Sequence, residues 1–125
     1  MEKVVILARV STDKQDYQRQ IVELTDYCSK VGWEIVKVFA NKISGAKKTE
    51  ERPEILEMLS YVKEHAIKRV CCLEVSRLGR NTLEALKVIQ MLNDNKVSLF
   101  IKNYNLETLN PDGRPNPVAS LITTI

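Results

Sequence analysis

The sequence predicts an α/β domain, a mostly parallel sheet with helices on both faces. Three observations predict it. Short apolar runs alternate along the chain with segments whose apolar residues recur every three or four positions. The first run, Val4 to Leu7, is apolar without interruption, which suits a strand covered on both faces rather than one. Helix-capping patterns stand where a run gives way to a periodic segment. Thr12 to Gln15 pairs a hydroxyl with a glutamine three residues on, and Asn81 is followed three later by Glu84.

Taken in order, Lys3 to Arg9 reads as the first strand. Asp13 to about Lys30 reads as a helix, with Tyr17, Ile21, Leu24, Cys28 and Val31 as its apolar stripe and Gly32 as its stop. Trp33 to Ala40 is partly β-branched and alternating, the second strand. Asn41 to Glu51 is polar and reads as a surface loop. Arg52-Pro53 opens the next helix, where proline is tolerated in the first turn, and Ile55, Leu56, Leu59 and Val62 supply its buried face. Arg69 to Glu74 is the third strand and Val75 to Arg80 a turn. The helix from Thr82 to about Asn95 buries Ala85, Val88, Ile89 and Leu92. Val97 to Lys102 is the fourth strand. Asn103 to Pro117 reads as irregular, with a turn at Pro111-Asp112-Gly113, and Val118 to Ile125 begins a further apolar helix or strand.

A chain of 125 residues suits one domain with a single core. With 44% apolar and 28% charged residues, the composition is that of an ordinary soluble protein. Nineteen basic against sixteen acidic residues give a net charge of +3, which permits a polyanionic partner without demanding one. The run after Glu2-Lys3 is too short for a secretory signal, and no segment approaches a membrane span. The cysteines, Cys28, Cys71 and Cys72, are odd in number and lack CxxC spacing; Cys71-Cys72 reads as strand core, which fits a reducing cytoplasm. A lone histidine, His65, argues against a Ser-His-Asp triad, and His and Cys are too few and scattered for a zinc site. No GxxxxGK stretch is present for nucleotide phosphates.

The chemistry concentrates at the strand ends. Ser11 stands at the carboxyl end of the first strand, beside a helix N-terminus, where open α/β sheets bind ligands and backbone N–H groups favour anions. Arg9, two residues earlier, shares its side of the strand. Arg77 and Arg80 follow the third strand around Gly79, on the same edge if the sheet is parallel. Position alone favours a helix cap for Ser11, and any single arginine is more simply a surface ion pair with Glu74 or Glu84. Three guanidiniums converging on one hydroxyl favour a site that holds a phosphate and stabilises charge developing at phosphorus. Unaided, Gln20 reads as a solvated helix residue and Arg52 as a surface one.

Arg9-Val10-Ser11-Thr12, with Gln15 and Gln20 after it, resembles the N-terminal catalytic motif of the serine recombinases, the resolvase/invertase family. Ser76-Arg77-Leu78-Gly79-Arg80-Asn81 resembles that family's second signature, and the likeness covers almost the whole chain. The resemblance implies a three-layer α/β sandwich and site-specific DNA recombination. It makes Ser11 the nucleophile that forms a covalent 5′-phosphoserine intermediate, Arg9, Arg77 and Arg80 its catalytic partners, and Gln20 and Arg52 its supports. It implies double-stranded DNA as partner, a homodimer that synapses into a tetramer, and neither metal nor cofactor. It also implies that residues 1–125 are the catalytic domain, ending where a long helix should begin and without the DNA-binding region, so that the piece alone is inactive. The apolar residues Val118, Leu121, Ile122 and Ile125 would lie in that helix. Two positions depart from the pattern: Ser76 replaces the usual aspartate, and Tyr61 falls where some members carry a lysine. The competing expectations are a non-catalytic member that binds DNA or another partner, and a small phosphohydrolase using a serine and arginines.

Overall fold

The fold is described from a computed structural model, which describes residues 1–10, 14–42, 53–74 and 82–117. Among these residues five strands and three α-helices follow in the order β1 (Glu2–Val10), α1 (Lys14–Val31), β2 (Trp33–Lys42), α2 (Pro53–Glu64), β3 (Arg69–Cys72), α3 (Thr82–Asp94), β4 (Ser98–Ile101) and β5 (Leu106–Glu107), with a short 3-10 turn, Lys102–Tyr104, between the last two. They form one sheet in the order β2-β1-β3-β4-β5. Every pairing is parallel except β4 with β5. The predicted mostly parallel sheet is therefore present, and each parallel connection runs through a helix, as it must.

The helices divide between the two faces. α1 packs on one side, where Leu24 and Cys28 meet Val4, Ile6, Ala8, Cys71 and Phe100. α2 and α3 pack on the other, where Ile55, Met58, Val62, Ala85, Val88, Ile89 and Leu92 meet Val5, Leu7, Val70, Cys72, Leu99 and Ile101. This is the three-layer sandwich. Val4 to Ala8 are all fully buried because alternate residues of β1 feed alternate cores. Cys71 and Cys72 are strand core, as expected. The Cys71 thiol is pushed well above its ordinary pKa by its contact with the Cys28 thiol and by burial, so it stays neutral. Among the described residues, no helix is long and apolar enough to cross a membrane.

Four details differ from the sequence reading. Leu56 is 45% exposed, and Met58 is buried in its place. The α2 stripe runs 55, 58, 59, 62, and residue 56 lies about 100° round the helix from 55. Val31 is exposed at the end of α1, where the stripe has run past the sheet. β2 continues through Asn41 and Lys42, because β1 remains paired to it as far as Val10. The stretch after β4 is not wholly irregular: β5 returns antiparallel, and Leu109 bridges Pro115 around the expected turn. There Gly113 takes φ +85° and its N–H donates to the Asn110 carbonyl at 2.8 Å. Val118 to Ile125 lie outside the described residues.

β2 also carries a bulge. Val4 pairs with Ile35 but Val5 pairs with Lys37, leaving Val36 as the extra residue. The extra residue reverses the alternation, so that Trp33 and Ile35 join the α1 core while Phe39 joins the α2/α3 core.

Candidate active site

β1 is the central strand of the site as well as of the sheet. Its rungs to β3 are Val5 with Val70 and Ile6 with Cys71, whereas its rungs to β2 continue to Val10. The last residues of β1 thus run beyond the paired part of β3, at the carboxyl edge of the parallel sheet. Strand alternation puts Arg9 in phase with Val5 and Leu7, on the face covered by α2 and α3. The Arg9 side chain is half-buried, and its Nε is a buried N–H with no hydrogen-bond partner among the described residues. A buried donor left unmade is costly, so its persistence marks a place where an acceptor from outside the chain would be stabilising.

The backbone of Arg9 is fully engaged. Its N–H donates to Gln20 Oε1 at 2.8 Å, and its carbonyl accepts from Gln20 Nε2 at 3.0 Å. Gln20 is fully buried, against its unaided reading as a solvated residue. The reason lies in helix phase: residue 20 falls three after Tyr17 and four before Leu24, on the buried stripe itself. A polar residue at a stripe position was the available signal. Gln20 Nε2 also reaches the Asp16 carboxylate at 3.1 Å and the Asp16 carbonyl at 3.3 Å. Asp16 did not figure in the sequence reading.

Arg9 and Gln20 are therefore brought together. Ser11, Arg52, Arg77 and Arg80 lie outside the described residues, as does Ser76. Glu84, in the first turn of α3, is a buried carboxylate that meets Lys87 Nζ at 3.7 Å. Tyr61, at the position of the family lysine, is a packing residue. Its ring meets Phe39 edge-on at 5.7 Å and stacks on the exposed His65 at 4.0 Å. Among the described residues, no group of three or more His, Cys, Asp or Glu side chains is placed to hold a metal.

A covered parallel sheet that offers a guanidinium N–H at its carboxyl edge defines an α/β domain suited to anionic ligands. Comparison with known proteins narrows the class. The chain belongs to the resolvase N-terminal domain family, whose model, "Resolvase, N terminal domain", matches residues 4–121. It is 32% identical over 107 residues to the transposon Tn917 resolvase of Enterococcus faecalis, covering 86% of this chain and 53% of that protein. It is 30% identical over 119 residues to a resolvase of Clostridium perfringens, covering 94% of this chain and 57% of that protein. The chain thus spans a little over half the length of these curated relatives. Among solved structures, the N-terminal catalytic domain of TP901-1 integrase superposes with a TM-score of 0.75 at 28% identity, covering 98% of this chain and 89% of that one. A resolvase family site-specific recombinase from Streptococcus pneumoniae shares the fold, with a TM-score of 0.74 at 18% identity, covering 99% and 84%.

Proposed function

We propose that this chain is the catalytic domain of a serine site-specific recombinase that cuts and rejoins double-stranded DNA. The observation that carries the reading is the orphaned, buried Nε of Arg9 at the carboxyl edge of β1, in a chain of the resolvase family. A phosphodiester oxygen is the acceptor that this N–H lacks.

In the proposed reaction Ser11 Oγ attacks the scissile phosphorus. The Oγ–P bond forms, the P–O3′ bond breaks, the serine proton is given up and the departing 3′ oxygen gains one. The DNA 5′ end is left as a phosphoserine ester. Its formation exchanges one phosphate ester for another, so the 3′ hydroxyl of a new partner strand can reverse it without ATP. Arg9, Arg77 and Arg80 hold the phosphate and offset the charge on its equatorial oxygens, as guanidiniums do in other phosphoryl transfers. Gln20 and Arg52 support them. The domain acts in the cytoplasm as a homodimer that synapses into a tetramer, so that four strands are cut and exchanged together.

The test uses the longest natural protein that carries this chain, with the DNA flanking its gene. The mixture is denatured and probed for protein joined to a 5′ DNA end. Wild type is expected to give the adduct and Ser11→Ala to give none while still folding and binding DNA. An adduct that persists in Ser11→Ala would overturn the assignment of the nucleophile.

A further inference from the structure

The residue that α1 sets beneath Gln20 has a role of its own. Where β1 runs beyond its rungs to β3, no described strand pairs with the Arg9 N–H and C=O on that side. Gln20 supplies what a strand would, because a carboxamide carries one acceptor and one donor group in a plane, like a peptide. This works in only one orientation of the amide. Turned over, its NH2 group would face the Arg9 N–H and its oxygen the Arg9 carbonyl, and both bonds would be lost.

Asp16 reinforces the orientation that the Arg9 backbone selects, through its carbonyl at 3.3 Å from Gln20 Nε2 and more strongly through its carboxylate. Its ionised carboxylate only accepts hydrogen bonds, and it lies 3.1 Å from Gln20 Nε2. It therefore favours the NH2 group on its own side and repels the oxygen. Arg19 holds Asp16 in place through Nη2, 2.9 Å from Oδ1, and steadies itself on Glu23 Oε1 at 3.3 Å. The series Glu23, Arg19, Asp16, Gln20 and Arg9 thus connects the solvent face of α1 to the backbone two residues before Ser11.

We infer that Asp16 is a positioning residue for the strand-cleavage reaction, fixing the Gln20 amide so that the end of β1 is held in register against α1. The inference rests on the recombinase reading for its consequence, but not for the clamp itself. The part of Asp16 in the reaction is played through Gln20.

The experiment compares wild type, Asp16→Ala and Asp16→Asn in the longest natural protein. Both substitutions remove the charge at the helix N-terminus, but only asparagine keeps an oxygen that can accept from Gln20 Nε2. Two quantities are read: site-resolved hydrogen exchange of the Arg9 amide, and the single-turnover rate of covalent adduct formation at saturating DNA. In Asp16→Ala the Arg9 amide is expected to exchange about tenfold faster, since the end of β1 opens locally. Adduct formation is expected to slow about 10- to 100-fold with DNA affinity unchanged, the scale of a small misplacement of reacting groups. Asp16→Asn is expected to restore both to within about threefold of wild type, a neutral bond replacing a charge-assisted one. Unchanged Arg9 exchange in Asp16→Ala overturns the clamp. Faster exchange with an undiminished cleavage rate overturns the positioning role, and equal losses in both variants reduce Asp16 to a helix charge. Wild type that gives no adduct would count against the recombinase reading alone, and the exchange measurement would still decide the clamp.

Discussion

Two arginines occupy opposite ends of the sheet, and their surroundings differ. Arg69 opens β3 at the amino edge. Its guanidinium bonds Glu107 of β5 through Nε at 2.6 Å, pairs with Glu2 of β1, and lies 4.2 Å from the ring centre of Trp33 of β2. One side chain thereby ties together every strand except β4, to which β3 is already paired. Trp33 continues into an aromatic cluster, edge-on to Phe100 at 5.4 Å, with Tyr27 stacked on Phe100 at 4.9 Å. Arg9 closes β1 at the carboxyl edge with its backbone doubly bonded and its Nε without a partner. At the amino edge the charge is neutralised within the fold. At the carboxyl edge the main chain is fixed and the guanidinium Nε has no acceptor among the described residues. Equal chemistry thus serves cohesion at the amino edge, and in the proposed reading serves recognition at the carboxyl edge.

The largest expected effect would break this comparison if it failed. Arg9→Ala should lower the rate of adduct formation about 10²- to 10³-fold, the usual cost of removing one preorganised charge donor. It should leave the urea midpoint nearly unchanged, because the lost Nε makes no hydrogen bond among the described residues. A protein that instead unfolds more easily and still cleaves would make Arg9 a structural arginine like Arg69.

The reciprocal substitution comes next. Arg69→Ala should cost about 2 kcal/mol of stability, read from urea unfolding. That is below the 3–5 kcal/mol of a fully buried pair, because the side chain keeps 19% of its exposure and solvent screens the two carboxylates left behind. Cleavage per folded molecule should be unaffected, since no part of this cluster reaches the carboxyl edge.

The contrast between the two edges was only partly legible in the sequence. Apolar periodicity gave the strands, the helices and their order, because burial against a sheet imposes its period over many residues. It missed β5, since a two-residue strand has no period. It missed the bulge at Val36, because Ile35, Val36 and Val38 are all β-branched and suit either face. Arg69 was taken only as the start of a strand: its partners Glu2 and Glu107 lie 67 and 38 residues away, and no local pattern records such distances. At the site, Arg9 was found from its place before a strand-end serine. Gln20 is singled out only by the resemblance, although its position between Tyr17 and Leu24 on the stripe marks it as buried. Asp16 carries no signal of its own in the sequence, because its role exists only once Gln20 is known to face inward.

The smallest expected effect sharpens the account of the amino edge. Ser98, nearly buried at the start of β4, donates from Oγ to Glu107 Oε2 at 2.5 Å and accepts from the Leu109 N–H at 3.2 Å. Ser98→Ala should cost about 1 kcal/mol, the usual worth of such bonds when a buried N–H is left without its acceptor. Glu107 is shared, since its other oxygen belongs to Arg69. Each partner restrains the carboxylate for the other, so the double substitution with Arg69→Ala should cost less than the sum of the single ones, by about 0.5–1 kcal/mol. Strict additivity in urea unfolding would mean that Arg69 and Ser98 stabilise the strands independently, and that the amino edge is a set of separate contacts rather than one cluster centred on Glu107. Subadditivity would make Glu107 the residue through which the short strand β5 is held, and would explain how two residues of strand persist at the edge of the sheet.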